Sequence, residues 1–135
     1  MEWMSAAAVF VGGGLGAVLR YYLERFLAPR RTSDALISAV FVINVLGSLT
    51  LGIVGAAVNV LGGQDAVAYA GLSLGLLGGF TTFSTAMVEA VQALLAGRYA
   101  RFVMLWLVQP TLSLIVLITG YTAAAAVLLA VFSAR

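Results

Sequence analysis

Gly78-Gly79-Phe80-Thr81-Thr82-Phe83-Ser84-Thr85 places two adjacent glycines and a run of hydroxyl residues inside an apolar segment. Glycine and hydroxyl side chains are poor material for an uninterrupted helix. In hydrocarbon, backbone groups freed from a helix must find partners in protein, water or an ion. A broken helix at membrane depth is suited to holding something polar, which points to a channel or transporter rather than a scaffold.

Other polar groups lie in apolar surroundings. Asn44 sits within Ile43-Asn44-Val45-Leu46-Gly47-Ser48. A bilayer-buried amide must be hydrogen-bonded, either as an interhelical tether or as a donor lining a pathway. Gln109 and Ser113 lie four apart and so share one helix face. Pro110 and Thr111 between them predict a local irregularity. Arg20, followed by Tyr21-Tyr22, is either a snorkelling interfacial residue or a charge at the mouth of an anion path. Phe83 stands among Thr82, Ser84 and Thr85. An aromatic ring there is ordinary packing, or its electropositive edge is a weak anion partner.

The elements that must position these groups follow from composition. The chain has 135 residues, of which 63% are hydrophobic and 9% charged. A soluble domain carries roughly 25% charged residues, so the natural solvent here is a bilayer. There is no Cys and no His, which removes disulfides, thiolate or imidazole metal sites, and any triad built on them. No enzyme constellation is present: Glu2, Glu24, Asp34, Asp65 and Glu89 form no convincing membrane-buried pair. Gly12-Gly13-Gly14-Leu15-Gly16 lacks the Lys-Ser/Thr ending of a phosphate loop and follows no strand. A net charge of +2, scattered along the chain, argues against nucleic-acid binding.

A spanning helix needs about 20 apolar residues. Four segments qualify, which predicts an all-α integral membrane protein with spans at 3–26, 35–61, 66–95 and 102–131. The third is expected to break at Gly78–Thr85. The N-terminal stretch lacks a basic flank and a cleavage site, so it reads as the first helix rather than a signal peptide. Gly12 and Gly16, and Gly71, Gly75 and Gly79, recur at four-residue spacing, which lets helix backbones approach closely in lipid. Loops 1 and 3 with their flanks hold Arg20, Arg25, Arg30, Arg31, Arg98 and Arg101, against Arg135 alone on the other side. By the positive-inside rule these loops face the cytoplasm and both termini face out.

Together the pieces resemble the Fluc (CrcB) family of fluoride channels. The residues that carry the resemblance run from Gly12 to Tyr21, from Asn44 to Ser48, and from Gly75 to Thr85 with Glu89. The third stretch is the specific one. The resemblance implies an antiparallel dimer in the cell membrane, with two narrow pores lined by both subunits. It implies a structural sodium ion at the dimer centre, held by the backbone carbonyls of Gly78 and Thr81. It places Asn44 as a pore-lining donor and Phe83 as the first pore phenylalanine. Thr82, Ser84 and Thr85 supply hydroxyls to the ion pathway, Gln109 and Ser113 form a polar track, Arg20 adds charge near the vestibule, and Glu89 lies near a pore end. A narrow pore must replace the water of a small, strongly hydrated anion with close donors, and these groups can do so. The implied function is passive fluoride export.

Two departures stand out. The family motif continues to a second phenylalanine where this chain has Ala86, and Leu105 takes a position expected to be polar or aromatic. The six-to-one arginine bias also predicts a single membrane orientation. Some family members are pairs of oppositely oriented chains, so the expected partner is either a second copy or, preferably, a paralogous subunit supplying the missing pore residues. A non-conducting partner subunit is the first alternative. A proton-coupled small multidrug transporter is the second, disfavoured because Glu2 and Glu24 leave helix 1 without a central carboxylate.

Overall fold

A computed structural model describes residues 2–27, 35–61 and 66–134. The expectations for loops 1 and 2, including Arg30 and Arg31, and for Arg135 lie outside the described residues. Helix α1 spans Glu2–Leu27 and α2 spans Ala39–Leu61. Helix α3 is built of three joined pieces, Ala66–Tyr69, Ala70–Leu77 and Gly78–Phe80. Helix α4 spans Phe83–Leu95. Helix α5 joins Tyr99–Val103, Met104–Val108 and Gln109–Ser133. Among the described residues there are no strands. Four helical spans are long and apolar enough to cross a bilayer, with α3 and α4 sharing the third, and the chain is a multi-pass membrane protein.

α2 starts at Ala39 because Ser38 caps it. The buried Ser38 Oγ accepts from the Phe41 amide at 3.1 Å, satisfying one of the donors a helix start leaves open. Ser38→Ala is expected to lower stability by about 1 kcal/mol. Denaturant titration in detergent micelles, followed by circular dichroism, measures it.

In lipid there is no hydrophobic drive between helices, so close backbone approach must hold the bundle. The glycines supply it. A Cβ on Gly12 would press into the Gly71 carbonyl oxygen, and one on Gly16 into the Leu76 carbonyl oxygen. From the other side, Gly79 lies against the Gly13 carbonyl and Gly75 against the Val9 backbone. α1 and α3 therefore meet along one glycine seam, as the four-residue spacing predicts. α2 and α5 form the second pair: Gly52 faces the Leu117 carbonyl, and Gly120 faces Leu49. Near one end of that pair, Asn59 Nδ2 donates to Tyr121 OH at 2.8 Å. A small core of Phe41, Ala90 and Leu105 ties α2, α4 and α5 together, with Val45, Phe102, Met104 and Leu112 packed around it. Leu105 thus points into the protomer, and its departure from the expected polar track is a packing choice.

Two stretches are wound wider than an α-helix. Along Ala70–Leu77 the backbone is π-helical, and the Gly78 N–H reaches back to the Ser73 carbonyl. Ser73 Oγ donates to the Tyr69 carbonyl at 2.6 Å, taking the acceptor that its own N–H would use in an α-helix. Met104–Val108 is the second, and the Gln109 N–H bonds the Met104 carbonyl. It ends two residues before Pro110, whose ring would crowd the carbonyl one turn earlier in a regular helix. The irregularity expected at Pro110 is this wide turn.

Candidate ion-binding cleft

The break in the third span is narrower than the sequence predicts. Gly78–Phe80 remain helical, and only Thr81 (φ −89°, ψ 154°) and Thr82 (φ −149°, ψ 122°) are extended. The helix ladder ends with Thr81 N–H donating to Leu77 O at 3.1 Å. In an unbroken helix the next bonds would run from Thr82 to Gly78 and from Thr85 to Thr81. Both donors are diverted. The Thr82 N–H donates to Asn44 Oδ1 at 2.8 Å, and Asn44 Nδ2 donates back to the Thr82 carbonyl at 2.8 Å. The Thr85 N–H donates to Thr82 Oγ1 at 3.4 Å, which caps α4. Asn44 therefore pairs with Thr82 as a neighbouring strand would, and the Gly78 and Thr81 carbonyls lose their helical donors. α2 comes this close because a Cβ on Gly47 would meet the Thr81 methyl and the Phe80 ring.

Beside the break is a cleft of about 220 Å³. Asn44 and Ser48 line it from α2; Thr81, Thr82 and Phe83 from the break; Gln109, Pro110 and Ser113 from α5. Gln109 and Ser113 share a face, as their spacing predicts. Gln109 is 3% exposed. Among the described residues, neither Gln109 Oε1 nor Ser113 Oγ has a hydrogen-bond partner. Unpaired buried polar atoms are costly in an apolar medium. The cleft is thus chemically matched to a polar occupant. The donors it offers an anion are the second Asn44 amide hydrogen, the Gln109 amide, and the Ser48 and Ser113 hydroxyls.

Not every expected pathway residue is there. Ser84 and Thr85 lie outside the lining, with their hydroxyl oxygens each 3.2 Å from Thr82 Oγ1 at the α4 cap. Arg20 lies half-buried on α1, also outside it. Phe83 is 64% exposed. Ala86 is fully buried. Glu89 does not line the cleft either; its Oε2 is 3.6 Å from Arg101 Nη2. That pair bridges the turn between α4 and α5 and was not foreseen from the sequence, because nothing in the local pattern couples residues twelve apart. Ser48 and Pro110 were likewise missed as lining residues. One helical turn separates Ser48 from Asn44, and that spacing was the available signal.

Comparison with known proteins places this geometry in a family. The family described as CrcB-like protein, Camphor Resistance (CrcB), matches residues 7–121. A protein of Methylobacterium nodulans named fluoride-specific ion channel FluC is 37% identical over 97 residues, covering 72% of this chain and 77% of that protein. Fluoride-specific ion channel FluC 2 of Cutibacterium acnes is 43% identical over 91 residues, covering 67% and 72%. Fluoride-specific ion channel FluC 1 of Corynebacterium jeikeium is 42% identical over 92 residues, covering 61% and 65%. With the match running from the first helix into the last, this chain belongs to the CrcB-like family.

Proposed function

We propose that the chain is a subunit of a fluoride-selective channel of the cell membrane that lets fluoride leave the cytoplasm passively. The observation that carries this reading is the cleft, where the buried, unpaired Ser113 hydroxyl and the Gln109 amide share one lining with Asn44. It moves an ion and transforms no molecule. Fluoride would shed water as it meets the Asn44 and Gln109 amides and the serine hydroxyls, while the Phe83 ring edge would face it without bringing water along. Phe83 is exposed in the single protomer, so a second subunit, antiparallel to this one, would complete the pore wall. That subunit is a second copy or a paralogue. The numbered names of some relatives, FluC 1 and FluC 2, support the paired reading.

The residues fit a sodium ion at the dimer centre. The diverted N–H groups of Thr82 and Thr85 leave the carbonyls of Gly78 and Thr81 as hard oxygen donors. A bound cation would offset the cost of irregular backbone and favour an anion nearby.

One observation favours a second reading, a subunit that supports a partner's pore without conducting itself. Ala86 stands where the family motif has a phenylalanine, and it is buried in the protomer. Fluoride efflux from proteoliposomes holding this chain alone, after addition of a potassium ionophore, separates the two. Rapid fluoride release without chloride release supports a self-sufficient channel. No release from folded protein supports the partner reading, and co-expression with a paralogue should then restore flux.

Phe83→Ile is expected to reduce fluoride flux by up to about tenfold. With an edge-to-face aromatic pair, worth about 0.5–1.5 kcal/mol, as the scale for a ring-edge contact, the upper end corresponds to tenfold, since about 1.4 kcal/mol of barrier is tenfold in rate. Because the ring is exposed in the protomer, the variant should fold as wild type by circular dichroism. Unchanged flux would make Phe83 ordinary packing.

A further inference from the structure

The polar row that lines the cleft continues along the α2–α5 pair. On α2, Gly55 and Asn59 follow Ser48 by seven and eleven residues. At about 3.6 residues per turn, both fall within about 20° of the Ser48 direction. On α5, Leu117 and Tyr121 follow Ser113 at four-residue spacing, the spacing of neighbours on a helix face. The two rows meet about 16 Å along the axis from Ser48, where Asn59 Nδ2 donates to Tyr121 OH at 2.8 Å. A Cβ on Gly55 would lie 3.6 Å from Tyr121 Cδ2 and 3.8 Å from Cε2, so the ring passes over Gly55, between Ser48 and Asn59. Asn59 stands two residues before α2 ends at Leu61, the level at which a spanning helix meets water.

The hydrogens left over point to a ligand. Asn59 has two amide hydrogens and Tyr121 one phenolic hydrogen. Their bond spends one amide hydrogen, so the second amide hydrogen and the phenolic hydrogen remain on groups already held together. Turning the amide over would have Tyr121 donate to Oδ1 and leave both amide hydrogens, so two donors remain in either orientation. Among the described residues, neither side chain has a second hydrogen-bonding partner. Asn59 is exposed and Tyr121 half-buried, so the donors open to water on one side while the ring excludes it on the other. Paired N–H and O–H donors favour a small, hard anion, whose hydrogen bonds are short and charge-assisted.

We propose that Asn59 and Tyr121 form a second anion station, which takes up or releases fluoride at the mouth of the path through the cleft, a role that rests on the cleft being such a path. The test is a solution NMR titration of the full chain in neutral detergent, labelled with 15N in asparagine alone. Asn44 and Asn59 are the two asparagines of the chain, so their side-chain amide signals report the cleft and the station separately. Sodium fluoride should move the Asn59 signal along a saturating curve, and sodium chloride at equal concentration should move it less than half as far. Tyr121→Phe keeps the ring and removes the phenolic donor. It should weaken the apparent fluoride affinity read at Asn59 about two- to tenfold, the worth of one hydrogen bond. If Tyr121→Phe does not fold, the comparison of fluoride with chloride on the wild-type chain still decides. Movement at Asn44 alone, equal movement with chloride, or an unchanged Asn59 curve in Tyr121→Phe would each overturn the station. Movement at Asn59 alone would support it and count against the cleft.

Discussion

Gly16→Ala is expected to prevent α1 from docking on α3 and to leave little folded protein. The added methyl would lie 2.8 Å from the Phe80 amide nitrogen and press into the Leu76 carbonyl oxygen. Both are backbone atoms, so no rotamer change relieves the clash; the helices must separate. Overpacking typically costs about 1–3 kcal/mol and occasionally more, and this contact belongs at the upper end or beyond it. Separation would also expose the neighbouring contacts of Gly12, Gly75 and Gly79, since all belong to one seam. Gly14→Ala is the matched control: a Cβ there meets no atom within 4 Å. Thermal unfolding in detergent, with protease sensitivity as a second readout, should show a large loss for the first and wild-type behaviour for the second. Similar stability for both would mean that the seam does not hold the protomer together.

The second large effect is expected at Asn44→Ala. The change strips the partner from both the Thr82 N–H and the Thr82 carbonyl. Each buried polar group left unsatisfied costs about 1–3 kcal/mol. Refolding the break into a continuous helix would recover the Gly78 and Thr81 bonds, so the break is the part at risk. Fluoride flux should fall well over tenfold, because the cleft loses its Asn44 donor and the extended Thr81–Thr82 wall at once. Thr50→Ala on the same helix, which removes a hydroxyl bonded only to its own Leu46 carbonyl, should leave flux unchanged. Proteoliposome efflux distinguishes the outcomes. Wild-type flux in Asn44→Ala would remove Asn44 from the pathway.

Much of this was legible in the sequence, for definable reasons. The four spans follow from long apolar runs, and the glycine seam from four-residue spacing. Gln109 and Ser113 share the cleft because residues four apart share a helix face. The break could be seen coming but not its extent, since Gly78 and Gly79 allow a break without requiring one. What sets its width is one long-range bond and one local cap: Asn44 takes the Thr82 N–H, and Thr82 takes that of Thr85. Asn44 was open between tether and pathway donor. An amide has two N–H groups and one oxygen; one N–H and the oxygen tether Thr82, and the side chain still lines the cleft. The family resemblance put Ser84 and Thr85 in the pathway; in the protomer both hydroxyls meet Thr82 Oγ1 at the start of α4, a contact that the sequence pattern does not specify.

The wide winding of Ala70–Leu77 has a consequence for rotation. A helix closed by bonds to the fifth residue back turns less per residue than an α-helix. Over these eight residues the lag accumulates, so the stretch sets the azimuth at which the chain arrives at Gly78. Upstream, that azimuth keeps Gly71 and Gly75 directed at α1; downstream, it aims Thr82 at Asn44. The two faces are phase-locked through a count of residues. The length of this segment is thereby part of the ion-binding architecture, although none of its side chains lines the cleft.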